Sequence, residues 1–92
     1  MPEVYLRGDT LHISLMAGRP GAVYRVHDVG RRGHTYRLAM KWRGEWVTKS
    51  WWLNLRHFGS EEEALERVRS LRIPPALRRK AERLVREYFA GG

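Results

Sequence analysis

Apolar and polar residues alternate over short stretches through roughly the first two thirds of the chain and recur at helical spacing thereafter. Leu11, Ile13 and Leu15 alternate with His12, Ser14 and Met16, a period of two that predicts a strand over residues 10–16 with one buried face. A short candidate strand, Val4 to Arg7, precedes it across the turn residues Gly8-Asp9. Gly18-Arg19-Pro20-Gly21 then breaks the pattern with strong turn chemistry. Residues 22–29 predict another strand, with Tyr24 and Val26 on one face and Arg25 and His27 on the other. After Gly30-Arg31-Arg32-Gly33, residues 34–42 alternate cleanly: Tyr36, Leu38, Met40 and Trp42 against Thr35, Arg37, Ala39 and Lys41.

A last strand begins at Glu45 or Trp46, and its register is open. A three-residue loop, Arg43 to Glu45, sets Trp42 opposite Trp46 and Tyr36 opposite Trp52. A two-residue loop instead puts Trp46 and Trp52 on the face of Arg37 and Lys41. The second is preferred, because Val47, Trp51, Leu53 and Leu55 then form one apolar set turned toward the core.

Beyond Arg56 to Gly59, Ser60-Glu61-Glu62-Glu63 has the spacing of a capping box and opens a helix. The glutamates suit the positive start of a helix, so their role reads as structural rather than catalytic. Ala64, Leu65, Val68 and Leu71 form one apolar stripe. Ile73-Pro74-Pro75 ends this helix, and Pro75 fits the first turn of another. In that second helix Leu77, Ala81, Leu84, Val85, Tyr88 and Phe89 share a face, for the chain's own sheet or for a second subunit. The prediction is an α+β fold in a single domain: an antiparallel sheet of three to four strands over about residues 4–55, packed against two C-terminal helices at about residues 60–72 and 75–90.

Charge sharpens this picture. With 18 Lys and Arg against 10 Asp and Glu the net charge is +8, which favours a polyanionic partner. Residues 1–60 hold ten of the basic and four of the acidic side chains, so the excess sits with the sheet. The chain has no cysteine, hence neither a disulfide framework nor a thiolate metal site. Neither an apolar signal core nor a run long enough to span a bilayer occurs, so a cytoplasmic protein with no membrane partner is expected.

All four tryptophans, Trp42, Trp46, Trp51 and Trp52, lie within one strand pair, interleaved with Arg37, Lys41, Arg43 and Lys49. A single-stranded nucleic acid needs both kinds of group, cations for phosphates and flat rings for unstacked bases, each stack being worth roughly 1–3 kcal/mol. Any one tryptophan is equally at home in a small core, but four so close together do not all fit on one side. Candidate stacking residues are therefore Tyr36, Trp42, Trp46 and Trp52, and candidate phosphate contacts are Arg37, Lys41, Arg43 and Lys49. Arg31 and Arg32, between glycines, either wrap a phosphate or form a solvated hairpin tip. Arg56, beside His57, joins the phosphate candidates.

Catalytic patterns do not emerge. His12, His27, His34 and His57 are scattered without metal-ligand spacing, Asp9 and Asp28 sit near turns, and no Gly-rich loop leads from a strand into a helix. The expectation is a protein without enzymatic activity, cofactor or metal.

The Cys-free, basic composition, the antiparallel sheet, the stretch K-W-R-G-E-W-V-T-K-S-W-W and the amphipathic C-terminal helices resemble the ThermoDBP-like single-stranded DNA-binding proteins of hyperthermophilic archaea. That resemblance implies an aromatic cleft flanked by basic groups, sequence-tolerant binding of single-stranded DNA, and assembly into homo-oligomers. Three strands followed by Phe58-Gly59-Ser60-Glu61-Glu62-Glu63-Ala64 also look like the arm-binding domain of tyrosine recombinases and the related plant AP2 fold, which lay a three-stranded sheet in the major groove of duplex DNA. Single-stranded DNA or RNA binding is thus the leading expectation. Duplex binding by the sheet and a structural, protein-binding subunit are the alternatives.

Overall fold

In the computed structural model the described residues are 2–15, 23–28 and 35–91, with the backbone alone described for 23–28 and for Trp42. Five strands precede two helices: β1 (Glu3–Arg7), β2 (Thr10–Ser14), β3 (Val23–Asp28), β4 (Thr35–Trp42), β5 (Glu45–Asn54), α1 (Glu61–Ser70) and α2 (Pro75–Ala90). The fold is α+β with C-terminal helices, as the pattern predicts. The strand count rises to five because the short stretch before Gly8 is a full edge strand. The antiparallel sheet has the order β1-β2-β5-β4-β3, so the chain's longest strand sits at its centre.

Local chemistry explains the first hairpin. Gly8 takes φ +60° in the two-residue turn that pairs Arg7 with Thr10, the positive angle a type II′ turn needs at its first central position. At the other end of β5 the chain makes one 3₁₀ turn, Leu55–His57, capped by the Asn54 side chain accepting from the Arg56 amide. Ser60 then accepts from the Glu63 amide, and the Glu63 carboxylate accepts from the Gly59 amide 3.0 Å away. The first turn of α1 is fixed from both directions.

Side-chain alternation puts Leu11, Ile13, Trp51 and Leu53 on one face of the sheet, and all four are buried. Both helices cover that face, contributing Ala64, Leu65 and Val68 from α1 and Ala81 and Val85 from α2 to a single core. Leu77, Leu84, Tyr88 and Phe89 pack against its edge, so the apolar face of α2 belongs to the chain's own sheet. Leu71 and Ile73 plug the space between the helices, where the Arg78 guanidinium donates to both of their carbonyls. Arg69 joins the helices more loosely, with Glu82 at 2.8 Å and Glu62 at 3.3 Å. Tyr88 closes the far end by donating to Asp9 Oδ1 at 2.7 Å, which ties α2 to the β1–β2 turn.

Candidate nucleic-acid interface

The register of the β4–β5 hairpin decides where each ring goes. Arg43 and Gly44 have φ of 49° and 83°, both positive, which makes a two-residue type I′ turn. Trp42 therefore faces Glu45, and Lys41 faces Trp46. Ala39 pairs with Thr48, but Leu38 pairs with Ser50, leaving Lys49 as an extra residue. This β-bulge reverses the facing of everything beyond it. Arg37 comes to lie opposite Trp51, and Tyr36 opposite Trp52.

Each register expected from the sequence thus holds in one half of the hairpin. Near the turn the two-residue loop governs, and Trp46 shares a face with Lys41 and Arg37. Past the bulge Trp52 pairs with Tyr36, which corrects the expectation that Trp46 and Trp52 share a face. Val47, opposite Met40, is parted from Trp51 and Leu53 for the same reason.

On the helix-facing side, the half of the hairpin near its turn and the C-terminal end of α1 enclose an open cleft of about 860 Å³. Trp51 and Leu71, both buried, line its inner part, and Trp46 stands in it with 51% of its surface exposed. The Lys41 ammonium lies 5.3 Å from the Trp46 ring centre, a cation–π distance. Arg37 and Lys49 enter from the sheet, Arg67 and Arg72 from the end of α1. Arg67 is fixed in place: it donates to the buried Thr35 hydroxyl and lies 5.6 Å from the Phe58 ring centre. Four cationic residues line this cleft, with Glu45 the one acidic residue beside them among the described residues, which concentrates positive potential in a concave surface.

The opposite face holds a different arrangement. Tyr5, His12, Trp52 and Tyr36 occupy directly opposed positions on β1, β2, β5 and β4, one line of rings across four strands. His12 stacks on Trp52 at 4.9 Å between centres and 8° between planes, and Tyr5 meets His12 edge-on at 4.7 Å. Arg7 extends the row over Tyr5 at 5.7 Å. Both His12 nitrogens are sealed from solvent without a hydrogen-bond partner. Burial accordingly lowers the His12 pKa, the Arg7 charge adds to the effect, and Glu3 opposes it. One row further along, the buried Ser14 and Ser50 hydroxyls meet at 3.1 Å.

Of the residues singled out from the sequence, Arg37, Trp46 and Lys49 line the cleft, Lys41 adjoins it, and Arg43 is exposed at the hairpin tip. Tyr36, 47% exposed, and Trp52 lie on the other face. Arg56 is exposed at the far end of the sheet, near enough to Tyr88 for its charge to bear on that hydroxyl. Arg31, Arg32 and the Trp42 side chain lie outside the described residues. The sequence reading missed Arg67 and Arg72, which sat in a helix understood only as support for the sheet. Among the described residues no three His, Asp or Glu side chains gather as metal ligands, and no helix is long and apolar enough to cross a membrane. Comparison with protein-family models, curated proteins and solved structures finds no match to this chain.

Proposed function

We propose that this chain is a non-enzymatic, largely sequence-tolerant single-stranded nucleic-acid-binding protein of the cytoplasm, and that the cleft between the β4–β5 hairpin and α1 is its binding site. The observation that carries this reading is the half-exposed Trp46 ring set among Arg37, Lys49, Arg67 and Arg72. An indole left half in water beside an ammonium offers a platform for an unstacked base, and the surrounding cations suit the phosphates on either side of it. A duplex keeps its base faces covered and would leave that platform unused. DNA as the polymer, and assembly into homo-oligomers, follow from the resemblance to the ThermoDBP-like proteins.

The test is Trp fluorescence during titration with dT and rU oligomers and with a duplex of equal length, at low and at moderate salt. Quenching by single strands that weakens as salt rises is the expected result, and the comparison of dT with rU selects the polymer. Duplex competing as well as single strand, or binding without quenching, would overturn the reading.

A further inference from the structure

The sheet ends at β1, a strand with no neighbour on its outer side in the strand order. Which of its backbone groups face outward follows from the far side of β2. Leu15 donates its amide to Lys49, and Asp9 accepts from the Leu55 amide, so the odd-numbered positions along β2 turn toward β5. The even ones, Thr10, His12 and Ser14, therefore bond to their register partners Arg7, Tyr5 and Glu3. The N–H and C=O groups of Val4 and Leu6 are left pointing away from the sheet.

Natural edge strands are commonly blunted by a lysine, a bulge or a proline. Glu3–Arg7 contains none of these. Instead the strand is complementary to itself: laid antiparallel on a copy about Tyr5, it sets Glu3 against Arg7, Val4 against Leu6 and Tyr5 against Tyr5. From this we infer that β1 pairs with β1 of a second copy of the chain across a two-fold axis at Tyr5, joining the two sheets into one. This supplies an interface for the homo-oligomer proposed above and is independent of the single-strand reading. Val4 and Leu6 exchange both backbone bonds with Leu6 and Val4 of the second copy, in phase with their outward groups. Tyr5 meets Tyr5 at the closer, non-hydrogen-bonded spacing, which continues the ring row of each sheet into the other. Glu3 and Arg7 lie on that same face, both exposed, and neither has an ion pair within its own chain among the described residues. Like charges at the two ends would drive the copies apart, whereas opposite charges let each end answer the other. The contact is isologous, so it closes at a dimer and leaves no β1 edge free.

The experiment is sedimentation velocity of the nucleic-acid-free chain over rising concentration, with amide hydrogen exchange at the low and high ends. Salt is held at about 150 mM to screen the repulsion between two chains of net charge +8. A concentration-dependent dimer is expected. Exchange at the Val4 and Leu6 amides should slow in step with the dimer fraction, while the Glu3, Tyr5 and Arg7 amides are slow at both ends. E3R and R7E each set like charges opposite one another, and each should weaken the dimer by at least about tenfold. E3R/R7E restores opposite charges and should return to within about threefold of wild type. Both positions are exposed, so the melts of these variants should match that of the wild type.

A chain that stays monomeric at millimolar concentration would overturn this inference. So would a dimer that ignores the charge reversals and leaves the Val4 and Leu6 amides exchanging freely, or a double variant no tighter than the single ones. The oligonucleotide titration decides the single-strand reading separately.

Discussion

Lys41 and Trp46 face each other across the β4–β5 hairpin, with the ammonium 5.3 Å from the ring centre. One side of the indole thus carries a cation while half of its surface remains in water. Replacing Trp46 by Ala should cost about 1–3 kcal/mol of single-strand affinity while shifting folding stability by only about 0.5 kcal/mol. Replacing Trp52 by Ala should do the reverse, since it removes the centre of the ring row on the other face, at about 2 kcal/mol of stability. Chemical denaturation paired with oligomer titration separates the two variants.

Arg67 and Arg72 reach the same cleft by different means. Arg72 is exposed, so Arg72→Ala should leave the denaturation midpoint in place and lower the slope of log affinity against log salt by about one. Arg67 also satisfies the buried Thr35 hydroxyl, so Arg67→Ala should reduce the salt slope and destabilise the fold by about 1–2 kcal/mol. Equal stability for the two variants would show that the Thr35 contact carries no weight.

His12 supplies a pH dependence with a definite sign. The folded chain holds its pKa below the ordinary value of 6.5 through burial, whereas the unfolded chain titrates near that value. Between the two the unfolded state binds more protons, so the stability His12 contributes is complete above about pH 6.5 and declines as the pH falls toward its folded-state pKa. His12→Phe keeps a ring against Trp52 and should flatten that acid limb. An identical decline in wild type and His12→Phe, measured by denaturation between pH 7 and 5, would place the acid sensitivity elsewhere.

The turn between β4 and β5 gives the cleanest backbone test. A Cβ added at Gly44 meets nothing within 4 Å, so the cost of Gly44→Ala is set by its φ of 83° alone, about 1 kcal/mol. Arg43 occupies the other positive-φ position with a side chain poorly suited to it. Arg43→Asn should therefore raise stability by about 0.5 kcal/mol, and a thermal melt of the two variants should show shifts of opposite sign.

The helices, their caps and the apolar alternation of β2 were legible in the sequence because each depends on residues near one another in the chain. Ser60 and Glu63 sit three apart, and the α1 stripe from Ala64 to Leu71 needs only helical geometry. The bulge depended on pairing between strands. Its one local sign was a lysine at position 49, where the apolar set of Val47, Trp51, Leu53 and Leu55 ought to have had another apolar residue. The stacking of His12 on Trp52 joins residues 40 positions apart across β2 and β5, strands that are not consecutive in the chain. Arg67 and Arg72 look like ordinary solvated helix charges until α1 is placed against the sheet.

The central strand draws on the packed core only from Trp51 onward, while the segment between the turn and the bulge carries the exposed ring. The core and the proposed binding face thus depend on different lengths of a single strand. On the proposed reading, substitutions at Trp46 and Thr48 change what the groove prefers while leaving the part of β5 that builds the core in place. For the proposed binding this marks residue 41 and residues 45–48, outside the positive-φ turn, as the stretch in which a directed-evolution library is expected to yield altered binders that still fold.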